Sequence, residues 1–389
     1  MLDVTRQLYN AALEQRIAAF RRCRVTLSAS MQYHELTSLR GEDVRIASVY
    51  REVEDAALRR LDLAFAAFFR RLRCGERPGF PRFRAASGWD TLVFPHGDRA
   101  LRFNADQSKV RVPGVGVVRL RKGRVIPTFG RAMICRRAGR FYAFFECERE
   151  ASHLPLLGNA VGLDRGVVAV AATSEGELVA FPDSVAVRRR AVRVAQKRLS
   201  RRARGSRRRG QARRLLARAH ERLANARRDF AHKLSRAIVD RYDTIVLERL
   251  NVRGMTRSAR GTVEQPGSGV RAKSRLNREI LHAGWSILRQ LIVEKAEKAV
   301  RTVVEVDAKN TSRECCSCGV VDANSRRSQS SFVCVACGYA TNADVNAARV
   351  IVKRAELRLA GSSGALAPDV DLQSALSSGR TRLKSQDAA

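Results

Sequence analysis

Four cysteines towards the C-terminal end restrict this chain more than any other feature. Cys315 and Cys318 form one CxxC pair, Cys334 and Cys337 form another, and fifteen residues separate the two pairs. Two tight thiolate knuckles at that spacing complete a tetrahedral zinc site, so this segment is expected to fold as a ribbon around a metal. Gly319 and Gly338 follow the knuckles, where the chain has to turn sharply. Cys316 competes with Cys315, but only Cys315 leaves a two-residue gap to Cys318. A site closed by four thiolates holds structure and leaves no position for chemistry. The total of nine cysteines is odd, and four of them sit in CxxC pairs, which in a reducing compartment points to metal before disulfides.

A chain of 389 residues is too long for a metal ribbon alone and has room for two or three domains. Its 74 Lys and Arg against 38 Asp and Glu give a formal charge of +36, which selects polyanionic partners, nucleic acid foremost. No run approaches the roughly 18 apolar residues of a spanning helix, and MLDVTRQLYNAALEQR lacks the order of a signal peptide, so no membrane partner is expected. The basic excess concentrates between Arg188 and Arg228, where Glu221 is the only acid. An ordinary solvated helix face would mix signs, whereas this density fits a nucleic-acid backbone. Gly205 and Gly210 are expected to divide the stretch into two helices.

The patterning predicts an α+β, multidomain chain. Residues 1–72 carry helical periodicity, with Val53, Ala56, Ala57, Leu61, Leu63, Ala64, Phe65, Phe68 and Phe69 forming a broad apolar stripe. Residues 73–155 change to turn chemistry and short alternating runs (TLVF, VRVPGVGVVRL, AMICRR, RFYAFFECE), a small β-barrel or sheet. Residues 156–308 read as an α/β core: two apolar strands around a Ser-Glu-Gly turn, basic helices over 185–240, the strand DTIVLERL, a Gly/Ser-rich loop over 254–272, one long helix and the strand TVVEV. The metal ribbon occupies 309–341, a last helix of the core 342–360, and 361–389 reads as a disordered tail. Tyr33, Phe80, Phe83, Trp89 and Phe94 are candidates for base stacking, with core packing the commoner use.

In a chain this basic, acids placed in apolar strands call for a reason. Asp164 lies mid-strand in GLDRGVVAV, where an unpaired carboxylate is costly to bury; the plain alternative is an edge residue paired with Arg165. Glu248 ends the strand TIVLE, at the kind of strand terminus where sites gather, or is simply solvated there. Asp344 precedes VNAARVIVKRAE and either serves the helix dipole or joins the other two. Three carboxylates on a first strand, a later strand and a following helix form a device for holding two divalent metals during phosphodiester hydrolysis, and oxygen ligands suit Mg2+ or Mn2+.

The ordered stretches GFPRF, GLDRGV, IVLERLNVRGM, the W-x-I-L-R helix leading to EKA, VVEVDAKNTSRECCSCG and FVCVACGYATNADVNAARVI resemble the TnpB family. These are transposon-encoded, RNA-guided DNA endonucleases with a RuvC-like core, relatives of type V CRISPR effectors. The resemblance covers about residues 75 to 355. It implies a helical recognition-like domain, a wedge-like β domain and a RuvC/RNase H-like nuclease core with an inserted zinc ribbon. Asp164, Glu248 and Asp344 take the catalytic, Mg2+-binding positions, and Cys315, Cys318, Cys334 and Cys337 the structural Zn2+ positions. A guide RNA and target double-stranded DNA are the implied partners, in a prokaryotic cytoplasm at the nucleoid. Relatives begin with a strand and an L-x-P-T-x-x-Q segment ahead of the helix bearing an N-x-A-L-like motif; here YNAALEQ already starts at Tyr9, so that leading piece is expected to be absent. Their last motif often reads D-R-D-x-N-A-A, where this chain has Asn342, Ala343 and Asp344, an exchange expected to reduce activity. The alternatives are an RNA-guided or direct DNA-binding repressor with a weak or silent core, and a strand-transferring transposase.

Overall fold

The computed structural model describes residues 1–363 apart from 122, 149, 151 and 152, and the side chains as far as 357. It is a mixed α+β, multidomain architecture that divides into two compact units, Met1–Glu150 with Arg201–Arg218, and Ala151–Ser200 with the rest of the chain from Ala219. Among the described residues no helix is long and apolar enough to cross a membrane.

The first unit opens with helices α1 (Leu2–Cys23), α2 (Ala29–Glu42), α3 (Val44–Ala47) and α4 (Arg51–Arg73). Leu8, Tyr9, Leu13, Leu36, Leu58 and Leu61 fill the space between them, and Trp89 closes it, donating its ring N–H to Thr5 Oγ1 at 2.9 Å. The apolar stripe of α4 is buried at Val53, Ala57 and Leu61, but Leu63 is 63% and Phe69 51% exposed. Phe65 still packs against the helical core under Arg16 of α1, and Phe65 and Phe68 also meet Phe80 edge-on at 5.6 and 5.4 Å. Tyr33 is half-buried, Trp89 and Phe94 are core residues, and Phe80 and Phe83 stay exposed.

The β-rich segment holds β1 (Thr91–Phe94), α5 (Gly97–Ala100), β2 (Arg102–Phe103), β3 (Lys109–Val112), β4 (Gly116–Arg119), β5 (Ala132–Arg137) and β6 (Arg140–Phe145). These strands pair as two antiparallel three-stranded sheets, ordered β1-β5-β6 and β2-β3-β4. The pairing among the described residues does not close into a ring. One core joins them to the helices, with Val49 and Val53 packed among Leu92, Phe94, Leu101 and Val110.

The second unit is built on a five-stranded sheet. Its first three strands, β7 (Ala160–Asp164), β8 (Ala171–Thr173) and β9 (Leu178–Val179), form an antiparallel meander, one strand more than the sequence pattern suggests. Helices α6 (Asp183–Ser200) and α7 (Arg207–Arg241) follow, then β10 (Thr244–Arg249), α8 (Val252–Met255), α9 (Val270–Ala283), α10 (Trp285–Ala299) and β11 (Thr302–Asp307). The order across the sheet is β11-β10-β7-β8-β9, with β10 parallel to both β7 and β11. Gly205, at φ 81°, breaks the basic helices, while Gly210 lies inside α7; one left-handed residue suffices to end a helix. The single long helix expected after residue 272 is two helices, because Gly284 at φ 69° separates α9 from α10.

Strand alternation decides which side chains meet which helices. Val161, Leu163, Ile245 and Leu247 point to one face, where Ile238 and Val239 of α7 and Leu288 and Ile292 of α10 cover them. Val246 and Val306 point to the other, against Ile351 and Ala355 of α11 (Ala343–Ser363). The ribbon strands β12 (Ser331–Val333) and β13 (Ala340–Asn342) pair antiparallel just before α11. That helix extends three residues into the stretch read as a disordered tail; the rest of that stretch lies outside the described residues.

Candidate metal and nuclease site

Asp164 is the last residue of β7 and Glu248 the last but one of β10, neither of them mid-strand. Leu163 and Leu247 are register partners in these parallel strands, so the two acids emerge side by side at the same C-terminal edge. Alternation puts both on the face that α11 covers, opposite the Leu163 and Leu247 side chains. Asp344 is the second residue of α11. Asn342 caps that helix, its Oδ1 accepting the N–H of Asp344 at 2.9 Å and of Val345 at 3.3 Å. Asn342 therefore fixes the turn that carries Asp344.

The three carboxylates line one cleft of about 620 Å³ together with Lys309, Thr311 and Arg326. Burial pushes the Asp164 carboxyl up to about 7, and the Glu248 and Asp344 charges add to the rise against the pull of Arg326 and Arg165. Burial also raises Glu248, although Thr311 Oγ1 donates to its Oε1 and favours the charged form. Arg326 reaches in from the ribbon, donating to Asp344 Oδ1 at 3.1 Å and to the Gln329 carbonyl at 3.1 Å. Three carboxylates gathered in one roomy cleft, with Asp164 raised by the charges of the other two, offer the hard oxygen donors that suit a divalent cation.

Arg165 does not hydrogen-bond to Asp164. It is 4% exposed, and its guanidinium donates to the main-chain carbonyls of Glu248 and, at 3.4 Å, Trp285. The Trp285 ring N–H in turn donates to Gly166 O at 2.8 Å. The edge of the sheet beneath the acids is thus braced by a buried cation and an indole.

The four cysteine sulfurs lie within 4.8 Å of one another, the one group of three or more Cys, His, Asp or Glu ligand atoms this close among the described residues. Cys315 and Cys337 are 3.7 Å apart and Cys318 and Cys334 3.6 Å. Disulfide sulfurs would be about 2.05 Å apart. A tetrahedron with Zn–S bonds of about 2.3 Å has edges of about 3.8 Å, so the spacing fits zinc. The knuckles repeat each other: Gly319 N–H donates to Cys315 O at 2.9 Å and Gly338 N–H to Cys334 O at 3.0 Å, with both glycines at positive φ. Cys316 lies outside the group, its N–H donating to Asn346 Oδ1 at 3.0 Å. Asn346, fully buried in α11, also donates to Glu314 O at 2.7 Å and so fastens the first knuckle to the helix carrying Asp344.

Thr311, Arg326 and Asn346 escaped the sequence reading. Asn346 offered one signal, a lone amide within the apolar run VNAARVI; Arg326 and Thr311 offered none, being one polar residue among many.

Residues 145–259 match a family pattern described as a probable transposase, and residues 285–351 one described as a Cas12f1-like TNB domain. The first span contains Asp164 and Glu248, the second the four cysteines and Asp344. A protein of Escherichia coli (strain K12) named putative RNA-guided DNA endonuclease InsQ is 35% identical over 299 residues, 76% of this chain and 72% of that protein. The chain belongs to the TnpB family. A second relative, a putative RNA-guided DNA endonuclease of Streptomyces pristinaespiralis, is 30% identical over 89% of this chain and 82% of its own length. The TnpB likeness reaches a CRISPR-associated endodeoxyribonuclease Cas12f1 of Sulfoacidibacillus thermotolerans, 32% identical over 45% of this chain and 38% of that protein.

Proposed function

We propose that this TnpB-family protein is an RNA-guided DNA endonuclease, an enzyme that hydrolyses phosphodiesters of a target double-stranded DNA selected by pairing with a guide RNA. The observation that carries the reading is the convergence of Asp164, Glu248 and Asp344, from three separate elements, on one cleft. Counted along the chain, the sheet runs third, second, first, fourth, fifth strand, which supports a RuvC/RNase H-like core.

Asp164, Glu248 and Asp344 would hold Mg2+ or Mn2+. When bound, such cations activate water and stabilise the leaving oxygen. The chain's own residues prepare that cleft. Thr311 orients Glu248, Arg165 braces the edge beneath it, and Asn342 sets the turn from which Asp344 projects. Arg326 holds Asp344 and presents a cation where a phosphate would enter. Cys315, Cys318, Cys334 and Cys337 would hold Zn2+ as a structural ribbon. The basic helices over 185–240 supply sequence-independent grip, the helical segment 1–72 and the wedge-like segment 73–155 embrace RNA and target, and the setting is the prokaryotic cytoplasm.

The test is cleavage of a target matched to the RNA that co-purifies with the protein. Magnesium-dependent cutting that Asp164→Ala abolishes is expected. The reading fails if no specific RNA is carried or if Asp164→Ala cuts as fast as wild type; binding without cutting would favour a repressor, and strand joining without RNA a transposase.

A further inference from the structure

Next to the carboxylate cleft lies a second hollow of about 570 Å³, between residues 256–260 and one face of α9. Its size falls within the about 300–1,000 Å³ typical of ligand sites. Its chemistry is uniform. Arg260, Arg271, Lys273 and Arg278 bring four cationic side chains and Ser258 and Ser274 bring hydroxyls, while no carboxylate and no aromatic ring is among the described residues lining it. Arg271, Ser274 and Arg278 follow one another at three and four residues, the spacing of a single helix face. Without rings there is no platform for stacking bases. Cations with hydroxyls match phosphate and sugar, the contacts that fix where a strand lies without reading its sequence.

The two hollows share a wall. Met255 lines the carboxylate cleft and Thr256 the basic hollow, and consecutive Cα atoms are about 3.8 Å apart. α9 holds that wall in place: Lys273 Nζ donates to Met255 O at 2.6 Å, and Asn277 Nδ2 to Thr256 O at 2.9 Å and Arg257 O at 3.2 Å. The loop beyond it is closed by Gly267 N–H donating to Arg260 O at 2.9 Å, where the backbone packs so closely that a Cβ on Gly267 would lie 1.6 Å from Ala259 O. The hollow is a constructed feature bordering the place of cutting.

We propose that this hollow holds a phosphodiester of the DNA strand being cut, flanking the scissile linkage in the neighbouring cleft. The proposal rests on the nuclease reading above. Arg271 and Arg278 supply the charge, and both are exposed, so replacing them leaves the fold intact. Arg260 closes the opposite side.

The test is methylphosphonate scanning of a target matched to the co-purifying RNA, read as equilibrium binding in EDTA. Each probe carries one uncharged linkage. With the wild-type protein, one or two positions beside the cut site should weaken binding about three- to tenfold. In the double variant Arg271→Gln/Arg278→Gln those positions should fall silent while the others keep their effect, and the salt slope of DNA binding should drop by about one for each such position. RNA retention should not change. A variant with the wild-type sensitivity pattern overturns the proposal, and so does a variant that loses RNA while its DNA pattern stays unaltered. Because binding is read without divalent cations, a protein that binds but never cuts would sink the nuclease reading without altering this outcome.

Discussion

A Cβ placed on Gly162 would lie 2.2 Å from the carbonyl oxygen of Ala348 and 2.7 Å from Val352 Cγ2. The strand bearing Asp164 and the helix bearing Asp344 meet there backbone to backbone. Gly162→Ala therefore has to push α11 off the sheet, because a main-chain oxygen cannot rotate aside. A loss of about 1–3 kcal/mol in stability is expected, with cleavage falling at least tenfold, measured by urea unfolding and by single-turnover cutting.

The metal-free protein should become less stable as pH rises. Asp164 titrates near 7 in the folded chain against about 3.9 in an unfolded one, so the unfolded state releases its proton first. Stability is then highest below about pH 4, falls on the way to about pH 7 and levels off above it, a change on the order of 4 kcal/mol at most. Unfolding in EDTA at pH 5 and pH 8 checks this, and Asp164→Asn should flatten the profile. Adding Mg2+ should stabilise wild type most at the alkaline end.

Arg326→Ala should leave RNA binding unchanged and slow cutting by about ten- to a hundredfold. Arg326 also draws the Asp164 carboxyl downward, so its loss should move the acid limb of the pH–rate profile to higher pH. Arg326→Lys, which keeps the charge, should restore the position of that limb but only part of the rate. An unshifted limb in Arg326→Ala would contradict the electrostatic link.

Asn342→Asp tests the departure from the relatives' last motif. Aspartate caps a helix about as well as asparagine, so stability should stay within about 0.5 kcal/mol. The added carboxylate beside Asp344 should raise the cutting rate at low magnesium. Thermal unfolding and a magnesium titration of cleavage separate the two effects.

Stripping zinc, or Cys334→Ser, should release one metal ion per chain and abolish cutting. The metal is counted by a chromogenic chelator. Far-UV circular dichroism should keep most of its helical signal, since the four cysteines take no part in the helices of the first unit.

The sequence already carried the elements on which the candidate site stands. The apolar runs of TIVLE and of β7 placed Glu248 and Asp164 on strands, and the CxxC spacing placed the four sulfurs, because each signal is local. What stayed hidden depends on distant partners. Nothing near Arg165 says that it turns from its neighbour Asp164 to carbonyls at Glu248 and Trp285, 83 and 120 residues away. Nor does periodicity distinguish Gly284, which ends a helix, from Gly210, which does not; only the backbone conformation separates them.

Asn346 grips the main chain on both sides of Cys315, two residues after Asp344. If zinc is what folds that knuckle, a newly made copy stays disarmed until it has drawn zinc from its surroundings. The carboxylate cleft would then take its safety catch from the cell's metal supply, before any nucleic acid is met.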